Sequence, residues 1–285
     1  MRRVCFLSMD DMSGYVADDD LAIAPLSQLG WQVETVSWRD QHTVWDEFEA
    51  VIIRTTWDYQ LAPEEFLRVL KRIEASSARL ENPLSVVAWN LNKRYLREME
   101  LRGCPIVPTI WDAAYTESEF AFWKTELFTD EVIIKPEISA TAGHTYRLSS
   151  FDPGLTEIFH DRRFMVQPFM PAIEAEGEYS LFYFGGEFSH AITKIPAPDD
   201  FRVQEEYGGI ITAIAGDKKL LDAGQYALDS VGETLLYARV DLVRDEAGNF
   251  RLMEVELIEP ALYLRMSERA PTLFAEAFHA RMNEL

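Results

Sequence analysis

Two apolar runs near the C-terminus, Arg239 to Val243 and Phe250 to Glu256, flank the polar stretch Arg244-Asp245-Glu246-Ala247-Gly248-Asn249. A Gly-containing turn between such runs signals a β-hairpin. Side chains alternate along a strand, so Glu254 and Glu256 share a face. Closure at Arg244 and Asn249 sets Asp241 opposite Leu252 and brings it to that same face. Three carboxylates in an apolar ribbon repel one another and are costly to bury without a cation among them. An all-oxygen set suits Mg²⁺, which binds through a few carboxylates and substrate phosphates. The same register sets Arg239 opposite Glu254, and a cross-strand salt bridge on a solvated face accounts for the pattern equally well.

Basic residues upstream are spaced across the chain. Lys93 sits in the first turn of a helix that Asn92 can cap, where a cation opposes the dipole. A bound anion explains that placement, and so does solvation. Lys135 closes the run Val132-Ile133-Ile134 ahead of Pro136. A lysine ending a buried strand is costly unless its ammonium reaches a site or a partner, which favours a functional role. The small-residue loop Ser139-Ala140-Thr141-Ala142-Gly143 lets backbone amides approach a phosphate, although most such loops are only turns. Pro168 and Pro171 in Gln167-Pro168-Phe169-Met170-Pro171 restrict strand pairing to one side, freeing backbone for a neighbour or a flat ligand. Arg202, with Lys194 upstream and Gly208-Gly209 downstream, offers a planar fork to phosphate or carboxylate. Arg54 and Asp58 follow an apolar run; beyond strand ends in open parallel sheets, such a pair would meet a zwitterionic substrate or form a local ion pair. The five histidines show no metal spacing, and no Ser-His-Asp or Cys-His arrangement is legible.

The elements that must position these groups follow from periodicity. Val4 to Met9, Trp31 to Val36 and Val51 to Arg54 read as strands, and Phe66, Val69, Leu70 and Ile73 recur at helical spacing between Pro63 and Glu74. This predicts a small α/β domain with parallel strands over residues 1–85. Glu81-Asn82-Pro83 marks a break. Strands are expected at 132–136 and 164–169, with a small-residue loop from Ser139 to Gly143 ahead of Tyr146-Arg147-Leu148, and a Gly185-Gly186 hairpin joins 179–184 to 187–193. A helix carrying Leu220, Leu221, Leu228, Val231 and Leu235 leads into the acidic hairpin, and another over 273–281 closes the chain. The remaining domains are expected at 86–163 and 164–285.

A chain of 285 residues, 48% hydrophobic and 26% charged, has the composition of a soluble globular protein of two or three lobes. A net charge of −21 argues against a nucleic-acid partner. Cys5 and Cys104 are far apart and form no disulfide framework or metal motif. Asp10 and Asp11 interrupt the apolar start before a signal-peptide core, and no run is long enough to span a bilayer. A cytoplasmic protein without membrane attachment is therefore expected.

The order of these elements resembles the ATP-grasp superfamily from about residue 86 to 265, with an N-terminal α/β domain of the kind that usually precedes it. Arg54-Thr-Thr-Trp-Asp-Tyr, Trp89-Asn-Leu-Asn-Lys93, Glu176-Gly-Glu-Tyr-Ser180, Ser189-His-Ala-Ile-Thr-Lys194 and Glu254-Val-Glu-Leu-Ile-Glu-Pro260 are similar to the glutathione-synthetase-like branch. That branch includes the cyclo-ligase family that closes O-ureido-D-serine to cycloserine. The chain differs from glutathione synthetases in carrying Glu256 where they have asparagine and in lacking their glycine-rich loop.

The resemblance implies a two-lobed ATP-grasp fold and an ATP-dependent ligase acting on a small amino-acid-like substrate through an acyl phosphate, with ring closure as one form. An ATP-grasp kinase and a non-catalytic ATP-binding module are the alternatives. Lys93, Lys135, Ser139 and Ala140 would meet ATP phosphates. Gln167, Pro168, Phe169 and Met170 would flank adenine, and Glu174 or Glu178 would take the ribose. Arg202 and Lys194 would be catalytic, Arg202 by holding the γ-phosphate. Asp241, Glu254 and Glu256 would bind magnesium, for which manganese is a substitute, and Arg54 and Asp58 would contact the substrate. Oligomeric state stays open, a homodimer among the options.

Overall fold

Val4-Cys5-Phe6-Leu7 and Val51-Ile52-Ile53 are apolar on both faces, the pattern of strands covered above and below. In the computed structural model, which describes every residue except 140–142, 199 and 285, they lie in β1 (Arg2–Ser8) and β3 (Ala50–Thr55). With β2 (Trp31–Ser37) and β4 (Arg79–Glu81) they form a parallel sheet in the order β2-β1-β3-β4. The helix Pro63–Glu74 covers one face through Phe66, Leu70 and Ile73. Proline at its first position, Glu64 and Glu65 in the first turn, and Lys71 and Arg72 in the last complement its dipole.

A second sheet is antiparallel, with β5 (Val132–Pro136) between β6 (Tyr146–Leu148) and β7 (Phe164–Pro168). Its core gathers Tyr115, Phe120, Trp123, Phe159 and Phe164. Phe120 and Trp123 come from the helix Glu117–Glu126, which Thr116 caps by accepting the Glu119 amide.

The third sheet, also antiparallel, runs β10-β9-β8-β11-β12: β8 (Glu178–Phe184), β9 (Glu187–Ile195), β10 (Ile210–Ile214), β11 (Tyr237–Arg244) and β12 (Phe250–Glu256). Gly185 and Gly186 turn β8 into β9 at φ +60° and +87°, values that a two-residue hairpin requires and that glycine adopts without strain. One face of this sheet packs on Val86, Tyr95, Leu96 and Met99 and on Leu220, Ala227 and Leu228. The other meets Phe274 and Phe278 of the helix Ala270–Asn283, which also reach Phe6 and Trp31 of the first sheet. The closing helix thus ties the C-terminal sheet to the N-terminal one.

Three expectations are revised. The acidic hairpin carries a bulge: Arg239 faces Glu256, Asp241 faces Glu254 and Leu242 faces Leu252, leaving Met253 as the extra residue. Asp241 therefore opposes Glu254 rather than Leu252, and Arg239 opposes Glu256 rather than Glu254. Lys93 precedes the helix Tyr95–Leu101 instead of entering it; the Asn92 side chain accepts the Arg94 amide in the turn ahead. The helix Lys218–Asp229 ends before Val231 and Leu235, which still join its core.

Candidate active site

A cavity of about 220 Å³ opens where the three sheets meet. Lys135 enters it from β5, half-buried, and forms no hydrogen bond or ion pair with the described residues. Burial pushes its ammonium pKa down, against the pull of Glu254. Lys93 lines the same wall. Its Nζ donates to the Ser139 carbonyl at 3.0 Å and to Glu254 Oε1 at 2.7 Å. Ser139 also lines the cavity, whereas Ala140 lies outside the described residues.

The floor is β8, β9, β11 and β12. Lys194 and Glu178 are cross-strand partners, joined by a 2.8 Å hydrogen bond, and Lys194 stands 3.7 Å from Asp241. Ser180 donates to Asp241 Oδ1 at 2.5 Å, and Arg239 holds Asp241 through Nε and Nη2 at 3.0 and 2.9 Å. Burial opposes the charge on Asp241, yet Arg239 and Lys194 hold its pKa below the usual range. Arg239 also hydrogen-bonds Glu256. Burial and then the neighbouring Asp241 and Glu254 push Glu256 up to about 7, although Arg239 pulls the other way.

Asp241, Glu254 and Glu256 line this one cavity, but each is turned to a basic side chain. Among the described residues, no three carboxylate, imidazole or thiolate groups are grouped to hold a metal ion as they stand. The donor chemistry nevertheless fits a hard divalent cation: every candidate atom is a carboxylate oxygen, and burial, with Asp241 and Glu254 adding to it, raises Glu256.

Gln167, Pro168, Phe169 and Met170 form a further wall where β7 ends. Gln167 Nε2 donates to Thr109 Oγ1 at 3.0 Å, and the Arg147 guanidinium lies 3.5 Å above the Phe169 ring. Arg202, on the loop between β9 and β10, lines the cavity, is paired with Asp200 at 2.8 Å and stacks 3.7 Å over Tyr207. Glu178 faces the cavity; Glu174 does not line it and pairs with Arg147 at 2.6 Å.

Arg54 and Asp58 lie outside the cavity lining. Arg54 is fully buried, donating to Asp19 Oδ1 at 2.6 Å and to the Pro260 carbonyl at 2.7 Å. Asp58 accepts from Trp38 Nε1 at 2.7 Å and pairs with Arg39 at 3.1 Å. Both carboxylate and guanidinium are thus spent on internal partners, and not on each other. The residues of the N-terminal segment that do reach the cavity are Trp57 and Tyr59, just past β3, joined by Tyr15 and Val16. Glu259, within the motif Glu254 to Pro260, also lines it. Burial, then Glu256 and Glu254, push Glu259 up to about 8. Its only sequence signal is a third glutamate after Glu254 and Glu256, out of their alternation.

The family model described as D-cycloserine synthetase DcsG, N-terminal domain, matches residues 4–82. Cycloserine biosynthesis protein DcsG of Streptomyces lavendulae is 30% identical over 275 residues, covering 89% of this chain and 90% of that protein. The crystal structure of D-cycloserine synthetase DcsG matches with a TM-score of 0.84 at 25% identity, over 99% of this chain and 100% of that one. The ATP-grasp ligase PsnB, solved with a minimal precursor, Mg and ADP, shares the fold with a TM-score of 0.65 at 14% identity, over 98% of each chain.

Proposed function

The chain belongs to the cycloserine-synthetase family of ATP-grasp ligases, and on that premise we propose that it activates the carboxylate of a small amino-acid-like substrate as an acyl phosphate and closes it onto a nitrogen of the same molecule. It is an ATP-dependent ligase that uses ATP with magnesium. The observation that carries the site assignment is the Lys135 ammonium, unanswered by any described carboxylate in a cavity that also holds Lys93, Arg202 and the acidic hairpin.

A carboxylate is a poor electrophile because its leaving group would be an oxide. Its oxygen attacks the γ-phosphorus, the bond to ADP breaks, and the resulting acyl phosphate carries phosphate as the leaving group. The nitrogen then attacks the carbonyl carbon, inorganic phosphate departs, and the nitrogen loses a proton. Lys93, Lys135 and Arg202 supply positive charge where the phosphoryl group passes. Phosphate oxygens entering beside Lys93 would compete with Glu254 for its ammonium and release that carboxylate. Magnesium bound at Asp241, Glu254 and Glu256 would offset phosphate charge. Lys194 and Arg239 hold Asp241 ionised, and Ser180 fixes its rotamer. The Gln167–Met170 edge would flank adenine, with Glu178 turned towards the ribose in preference to Glu174. Walls from three sheets would limit the access of water to the intermediate.

A phosphate-release screen across D- and L-amino acids and their O-substituted serine derivatives, with mass spectrometry of the products, tests this reading. Release with O-ureido-D-serine and loss of water from the joined atoms supports it; ATP turnover that leaves a stable phosphorylated product would instead mark a kinase.

A further inference from the structure

The cavity is lined by two ionisable side chains that enter no ion pair among the described residues: Lys135, which the proposed function assigns to phosphate, and Glu259. The basic residues nearest the acidic hairpin are already engaged: Lys93 with Glu254, Lys194 with Glu178, and Arg239 with Asp241 and Glu256. None of the ion pairs among the described residues includes Glu259, although it is half-buried and lines the cavity.

Its surroundings are aromatic. Trp57 and Tyr59 are nearly fully buried cavity walls, and Tyr15 packs against Trp57 with ring centroids 5.4 Å apart. The segment is also held rigidly. Trp57 Nε1 donates to the Glu259 carbonyl at 2.9 Å, Arg54 Nη2 to the Pro260 carbonyl at 2.7 Å, and Asn90 takes the Leu257 amide at 3.0 Å. A carboxyl group hydrogen-bonded to the Tyr59 side chain and set beside the Trp57 indole can take an organic cation through charge pairing, with cation–π attraction to those rings.

We infer that Glu259, walled by Trp57 and Tyr59, is the site that receives the ammonium group of the amino-acid substrate. The inference rests on the proposed ligase reading and sharpens it. When the carboxylate of an α-amino acid is the group activated, its ammonium lies one carbon away and serves as a handle for Glu259. Glu259 is then a specificity residue, whereas Glu254 and Glu256 belong to the phosphate side.

The test compares O-ureido-D-serine with its des-amino counterpart, 3-(ureidooxy)propionic acid, on the intact enzyme with ATP and magnesium. Wild type should prefer the amino compound by at least about tenfold in kcat/KM, the value of a charge-assisted pair. Glu259→Gln should raise KM for O-ureido-D-serine and collapse the preference below roughly threefold. Glu259→Asp should restore part of it. The ATP affinity and magnesium half-saturation of Glu259→Gln should stay at wild-type values, which also shows that the variant is folded. An unchanged preference in Glu259→Gln overturns the assignment and leaves the ligase standing. So does a raised magnesium requirement with the preference intact, which would make Glu259 a metal ligand. Absence of phosphate release with either compound in wild type counts against the proposed substrate class, and with it against this role.

Discussion

Lys135 shows how much of this chemistry rests on single side chains. Its strand holds it in the cavity wall, burial lowers its pKa, and no described carboxylate pairs with it. On the proposed reading an arriving phosphate would supply the partner, so Lys135→Ala should weaken ATP binding by roughly ten- to a hundredfold, the loss of a charge-assisted hydrogen bond. Calorimetric titration with a non-hydrolysable ATP analogue and magnesium measures this, and unaltered affinity would make Lys135 structural. His190 gives a test away from the site. It stacks on Phe182 at 4.3 Å, bonds to the Leu262 carbonyl, and burial pushes its pKa down to about 4. The unfolded chain therefore binds a proton that the native state refuses between pH about 6.5 and about 4. Stability from the neutral imidazole is full above that window and is lost as pH falls through it. Between pH 7 and 5, wild type should lose about 2 kcal/mol more than His190→Gln in urea unfolding; parallel curves would contradict it.

At the scale of elements, the strand end from Leu257 to Pro260 is fixed by groups from elsewhere in the chain. Asn82 Nδ2 donates to the Leu257 carbonyl at 2.8 Å, the Tyr237 hydroxyl lies 2.8 Å from the Ile258 carbonyl, and Arg54 reaches Pro260. Arg54→Ala should leave Asp19 buried without its cation and cost about 3–5 kcal/mol in urea unfolding. A stable variant with only a raised substrate KM would instead return Arg54 to substrate contact. Local signals made much of this architecture legible. The apolar runs of β1 and β3 and the Phe66, Leu70, Ile73 spacing mark a parallel sheet and its covering helix. The bulge at Met253 was not legible, because alternation of side chains carries no sign of one extra residue. Nor was the Arg54–Asp19 pair, whose members lie 35 residues apart and meet only when the chain folds.

For the molecule as a whole, the site is a meeting of sheets. β5 and β7 bring Lys135 and Gln167; β8, β9, β11 and β12 bring Glu178, Lys194 and the acidic set; the end of β3 brings Trp57 and Tyr59. The cations and carboxylates were visible in sequence because charges closing apolar runs demand a reason. Trp57, Tyr59 and Glu259 were not picked out, since an aromatic after a strand is ordinarily core and its exposure to a cavity depends on packing between sheets. On the proposed reading, this meeting of sheets gathers the groups for phosphate and for the acid in one cavity. The most direct measurement is hydroxylamine trapping during turnover with ATP, magnesium and O-ureido-D-serine. An acyl phosphate predicts a hydroxamate of the substrate together with stoichiometric ADP and inorganic phosphate; ATP consumption with a stable phosphorylated substrate and no hydroxamate would contradict it.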